Sequence, residues 1–340
     1  MIPLIELTSV PEGLLEIKEA RNLHTVLPHP TLLTLEGHHK EALFVTVLLH
    51  GNEDTGLFAI QKILKKYRNR PLPRSLVVFF GNVYAAKEGL RRLDGQPDYN
   101  RVWPEGEEPQ SDEAHLIERV VRRVTGKPLF ASIDIHNNTG KNPHYGCINR
   151  LESDFLYLAS LFSRIIVYFE TPKGVQSMAL AKYCPAITIE CGKPHVSRGI
   201  EHAAEFVDSL LHLSAFPHRG PHTKEVEVFH TVARVTIPER FSFGFADADT
   251  DIRLPEELEE DNFKELPAGT PFGWVRPGSG ARFEVFDDAG RECFDDFFTM
   301  EKNEIRLAKR MMPAMITRDL KIIRQDCLCY LMERYAMPQL

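Results

Sequence analysis

Short apolar runs rich in β-branched residues alternate with segments of helical spacing along the first two thirds of the chain. Leu43–Leu49 (LFVTVLL) is one such run and predicts a buried strand. The turn-rich GNEDTG follows it. Ile60, Ile63, Leu64 and Tyr67 then recur at i, i+3, i+4 and i+7, the spacing of an amphipathic helix. Leu76–Phe80 (LVVFF) predicts a second strand. Ser111 is placed to cap a helix with Leu116, Ile117, Val120, Val121 and Val124 on one face. Further strands are predicted at Phe130–Ile135, Ile165–Phe169 and Ala186–Ile189, and helices at Phe155–Phe162, Val175–Tyr183 and Ile200–Leu213. This alternation predicts an α/β fold, a mostly parallel or mixed sheet with helices on both faces.

The texture changes near Ala215, where FPHRGPH reads as a linker. Beyond it lie strand-like stretches at Val226–Ile237 and Arg282–Phe286, with turn signals such as PAG and PGSG. Asp247–Glu265 is strongly acidic and predicts a solvated loop or exposed helix. The expected organisation is an α/β domain over 1–215 and a smaller β-rich domain over 220–340 that covers the cleft.

Composition narrows the classes. The 340 residues are 43% hydrophobic and 26% charged, enough to build a core and too ordered a mixture for global disorder. No apolar run approaches the roughly 18 residues of a membrane span. The start, MIPLIELTSVPEGLL, lacks a basic segment followed by a long apolar one, so no signal peptide is expected. The net charge of −7 argues against a nucleic-acid partner. Six cysteines without a CxxC pair read as free thiols of a cytoplasmic protein.

Four segments carry candidate chemistry. His50-Gly51-Asn52-Glu53 sits where the first strong strand ends, and ligand sites in open α/β sheets collect outside the carboxyl ends of strands. A His and a Glu three apart can turn toward one cation from such a loop. Asp134-Ile135-His136 closes the third strand, with both polar side chains on one face. Asp134 can then fix the ring of a ligating His136. Two His and one Glu at strand ends form the three-protein-ligand set of a catalytic zinc site. Glu190, closing AITIE, can serve as the base for a water at such a metal. The stretch Asn82–Arg101 supplies Arg91, Arg92, Asn100 and Arg101, and a guanidinium suits a carboxylate or a developing oxyanion.

Taken in order, HGNE, N-x-x-A-x(5)-R, D-x-N-R, D-I-H-N and I-x-I-E resemble the succinylglutamate desuccinylase/aspartoacylase family of the wider zinc carboxypeptidase group. The resemblance spans Val45 to about Pro194. It implies zinc held by His50, Glu53 and His136, with Glu190 as general base. It implies Arg91 as the carbonyl-polarising group, and Asn100 and Arg101 as the pair that holds a substrate carboxylate. The implied fold is carboxypeptidase-like, and the implied reaction is hydrolysis of an amide next to a carboxylate. A carboxypeptidase-like peptidase and a non-catalytic binding protein on the same fold are the alternatives.

The chain departs from the family pattern in three ways. Gly95-Gln96-Pro97 lengthens the stretch between Arg91 and Asn100. No arginine lies in Val175–Tyr183, where aspartoacylases carry one shortly before the glutamate strand. No tyrosine lies between Tyr183 and Tyr330, whereas the family uses one from its C-terminal domain. Lys173 or Lys182 is a poorer match to a second carboxylate than a guanidinium, so Met178 and Leu180 are expected to form an apolar wall. The expected substrate has one carboxylate and a less polar neighbour rather than being N-acetyl-aspartate. The expected partner is a small N-acyl amino acid or a short peptide, with no nucleic acid and no membrane, and a homo-oligomer is left open.

Overall fold

A computed structural model describes residues 1–217, 220–221 and 224–336. In chain order the first part contains strands β1 (Ile5–Leu7), β2 (Thr31–Leu35), β3 (Gly37–Val47), β4 (Leu72–Phe80), β5 (Leu129–His136), β6 (Tyr145–Ile148), β7 (Ile165–Tyr168) and β8 (Ala186–Glu190). Between them run helices α1 (Thr55–Lys66), α2 (Val83–Glu88), α3 (Asp112–Thr125), α4 (Ser153–Phe162) and α5 (Gln176–Leu180), with α6 (Ser197–His212) after β8. The later part contains β9 (Glu227–Thr236), β10 (Phe243–Phe245), β11 (Ile252–Leu254), β12 (Pro271–Val275), β13 (Glu284–Phe286), β14 (Phe298–Glu301), β15 (Glu304–Leu307), β16 (Met312–Ala314) and β17 (Cys329–Arg334). Helices α7 (Phe294–Phe297) and α8 (Leu320–Gln325) are short.

The large sheet runs β1-β2-β4-β3-β5-β8-β6-β7-β9-β17-β16, with β13 also paired to β9. Its centre, β4-β3-β5-β8, is parallel, whereas β6 runs antiparallel to β8. The sheet is therefore mixed, within the α/β class expected. The central strands are buried on both faces, which is why they read as unbroken apolar runs. Helices cover both faces. α1 lies over Val47 and Ile135, since a Cβ on Gly56 would fall 2.7 Å from Val47 Cγ1 and 3.2 Å from Ile135. α5 lies on the opposite face, where Gln176 bonds Ser132 and Ser177 bonds Thr188. Strand alternation puts Asp134 and His136 on that second face.

Residues beyond 220 enter both sheets. β9, β13, β16 and β17 extend the large one, and β10-β11-β12-β15-β14 form a second, five-stranded sheet. The core of that sheet is aromatic, with Phe272, Phe283 and Phe298 rings 5.3–6.3 Å apart.

Several boundaries differ from the sequence pattern. β3 starts at Gly37 because the polar GHHKE pairs with β4 while its side chains face solvent. Helix α5 is five residues long rather than nine. The acidic segment holds β11 and a 3₁₀ turn at Leu258–Asp261, pinned by the buried Ile252, Leu254 and Leu258. Part of the linker, at residues 218, 219, 222 and 223, lies outside the described residues. All six cysteines are free. Among the described residues no helix is long and apolar enough to cross a membrane.

Candidate active site

The loop after β3 delivers His50 and Glu53. Its course is tight: Leu48 adopts a left-handed φ of 56°, and the Gly51 Cα lies against α2. A Cβ on Gly51 would sit 2.2 Å from the Ala86 nitrogen, so the glycine of HGNE is demanded by this approach. Asn137, next to His136, stitches three chain segments together. Its side chain accepts from the Thr55 backbone and donates to Thr55 Oγ1 and the Gly192 carbonyl. The ends of β3, β5 and β8 are thereby held around one cleft of about 770 Å³.

Glu53 stands between the two imidazoles. Its carboxylate oxygens lie 2.8 Å from His50 Nδ1 and 2.8 Å from His136 Nδ1. The far nitrogens face carboxylates too: His50 Nε2 is 2.9 Å from Asp98, and His136 Nε2 is 2.7 Å from Asp134. All three central residues are buried. Burial and the Arg91 charge oppose protonation of His50, yet Asp98 and Glu53 raise its pKa. Burial opposes it for His136 as well, yet Asp134 and Glu53 raise that pKa well above the usual value. Burial would raise the Glu53 pKa, but the two rings pull it below the ordinary range. Glu53 here is bracketed by the two rings, which stand in the electrostatic place of a cation. With Nδ1 deprotonated, His50, Glu53 and His136 offer three ligand atoms within 4.8 Å of one another. Asp98 and Asp134 then take the Nε2 protons and fix the tautomer and angle of each ring. This donor set fits zinc.

Glu190 ends β8 directly beside His136 in register and lines the same cleft. Asn138 donates to it at 3.3 Å. Burial is the main influence on it and raises its pKa to about 7.

Asp98 ties His50 to Arg91, accepting from Arg91 Nη2 at 3.0 Å and Nε at 3.3 Å. The longer loop before it is anchored by Gln96, whose side-chain oxygen accepts from Asn82 and the Leu93 backbone. Arg92 donates to the Gln96 carbonyl, and Arg91 alone of the two lines the cleft. Asn100 is internally bound: its Nδ2 donates to Asp134 and its oxygen accepts from the Gln176 backbone. Arg101 lines the cleft and reaches Asp326, just beyond α8, at 3.0 Å.

The expected neighbours of the substrate differ. Lys182 pairs with Glu105 at the surface, and neither it nor Lys173 lines the cleft. Met178 and Leu180 do not line it either, and Leu180 is packed in the core. An apolar wall exists, but Tyr145, Val167, Phe169, Pro172, Val175 and Met315 build it. Tyr330 on β17 also lines the cleft, so a tyrosine from the C-terminal part is present after all. Sequence reasoning gave no role to Asp98, although it lies inside the D-x-N-R motif, and it passed over Asp326 and Tyr145.

The model of the succinylglutamate desuccinylase/aspartoacylase catalytic domain matches residues 40–213, just over half of the chain. No curated protein matches the sequence. Among solved structures, succinylglutamate desuccinylase from Chromobacterium violaceum is similar at TM-score 0.59 and 15% identity, over 88% of this chain and 86% of that one. Succinylglutamate desuccinylase from Vibrio cholerae is similar at TM-score 0.60 and 13% identity, over 95% and 97%. Murine aminoacylase 3 is similar at TM-score 0.57 and 15% identity, over 87% and 95%.

Proposed function

Because the chain belongs to the succinylglutamate desuccinylase/aspartoacylase family, we propose that it is a zinc-dependent amidohydrolase that cleaves the linear amide of N-acyl amino acid-type substrates. The observation that supports this most is the convergence of His50, Glu53 and His136 on one buried point with Glu190 beside them in the same cleft.

When bound by His50, Glu53 and His136, zinc supplies Lewis acidity and lowers the pKa of water at the site. Glu190, with a pKa near neutrality, accepts the proton of the attacking water and passes it to the leaving nitrogen. Arg91, oriented by Asp98, meets the negative charge that grows on the carbonyl oxygen. Arg101 is the cation next to the group flanking the scissile amide, and a substrate carboxylate reaches it only in competition with Asp326. The apolar wall accepts an uncharged acyl chain or side chain. N-acetyl-aspartate brings a second carboxylate, and burying that against this wall without a partner costs several kcal/mol.

The test is amine release by the zinc-loaded protein from N-acetyl-aspartate, from N-acyl derivatives of neutral amino acids, and from short peptides. Turnover of a neutral N-acyl derivative with kcat/KM at least tenfold above N-acetyl-aspartate is expected. Failure to cleave any of them with zinc saturating, or a tenfold preference for N-acetyl-aspartate, contradicts the reading.

A further inference from the structure

The two arginines of the cleft meet a carboxylate that the chain itself provides. Asp326 Oδ1 accepts from Arg101 Nη2 at 3.0 Å, and Asp326 Oδ2 lies 3.4 Å from Arg91 Nη2. One carboxylate thus spans both guanidinium groups, each of which is largely buried. A carboxylate presented to a pair of guanidinium groups is also what a substrate acid would offer them. Asp98 has already taken the Nε side of Arg91. Two positive charges are therefore matched by Asp98 and Asp326 before any ligand enters. A third carboxylate at the arginines would therefore have to displace Asp326 from them.

We propose that Asp326 determines specificity in this cleft: it fills the carboxylate-binding capacity of Arg91 and Arg101 from within the chain, and selects substrates whose group at that position carries no negative charge. The substrate class is then N-acyl amino acid amides, or other N-acyl compounds with an uncharged group in place of the free acid. The proposal rests on the amidohydrolase reading for its kinetic consequence, but the occupied arginines also govern binding. Loss of the negative charge at Asp326 frees both guanidinium groups, and Asn keeps the shape of the side chain.

The experiment compares N-acetyl-methionine with N-acetyl-methioninamide, which share the scissile acetyl amide and differ in one charge. Kinetics use the zinc-loaded enzyme and its Asp326→Asn form. Calorimetric binding uses zinc-loaded protein carrying Glu190→Gln, with and without Asp326→Asn, so that it reads affinity independently of turnover. Expected for the wild type is a preference of tenfold or more for the amide in both kcat/KM and affinity. Asp326→Asn should erase or invert it by a gain of tenfold or more on the acid. Equal or better binding of the acid by protein with Asp326 intact overturns the proposal, and so does an unchanged ratio in folded Asp326→Asn. The comparison with Asp326 in place needs no variant at that position, so it decides even if Asp326→Asn fails to fold. Absence of turnover on both compounds together with the expected binding preference would count against the hydrolase reading while upholding Asp326.

Discussion

The carboxyl edge of the large sheet and the core of the five-stranded sheet are built on opposite terms. At the ends of β3, β5 and β8 the chain buries Glu53, Asp134, His50, His136 and Glu190, with Arg91 beside them. In the described residues beyond Glu190, the buried polar side chains are Thr231, Asn262 and Thr317, none of them ionisable. The core of the five-stranded sheet instead packs the rings of Phe272, Phe283, Phe294 and Phe298 against one another. Burying ionised groups is costly unless each is paired, and the large sheet meets that condition by interlocking all of these but Glu190, which accepts from Asn138. Such an arrangement serves chemistry better than stability. The aromatic core has the reverse balance. Damage to the first region should therefore appear in turnover, and damage to the second in unfolding.

Glu190→Gln gives the sharpest break. It keeps the shape and the Asn138 contact but cannot accept a proton, so kcat should fall by about 10²–10⁴ while zinc stays bound. The pH profile sharpens the point. Glu190 must be ionised to act, and burial raises its pKa to about 7. The acid limb of wild-type kcat/KM should therefore titrate near 7, with activity lost as the pH falls through it. Near wild-type turnover by Glu190→Gln would move the base elsewhere. Arg91→Ala comes next, with kcat reduced by about 10²–10³ because the missing donor matters most in the transition state. A rise confined to KM would show that Arg91 binds ground state and transition state alike. Phe298→Ala should change turnover least. It removes a fully buried ring and should cost about 3–5 kcal/mol in denaturant unfolding, with kcat of the folded enzyme unchanged. A matching loss of kcat would dissolve the contrast between the two regions.

What the sequence made legible follows the same division. Strands buried on both faces announce themselves, because LFVTVLL and LVVFF have nothing but packing to explain them. β6 (YGCI) did not, being four residues with a glycine that lets Ile187 approach within 2.8 Å of where a Cβ would stand. β17 was equally silent, since its place is set by pairing with β9 about a hundred residues earlier. His50, His136 and Glu190 could be singled out because each ends an apolar run at the same edge of the sheet, and Glu53 because it stands three residues on from His50. Asp98 stood inside a motif, yet its bonds to His50 and Arg91 depend on how the Gln96-anchored loop folds back. Asp326 lies 225 residues from Arg101, and no spacing rule reaches that far. Tyr330 and the apolar wall share this origin: the topology, not any local pattern, brings them to the cleft.

The account stands or falls on the metal. Elemental analysis of purified, dialysed protein, run alongside circular dichroism to confirm folding, measures it most directly. The wild type and Glu190→Gln should each hold one zinc per chain, while His50→Ala and His136→Ala should be folded, lack zinc and lack activity. A full complement of zinc in either histidine variant, or a folded, zinc-free wild type that hydrolyses N-acyl amino acid derivatives, would contradict it.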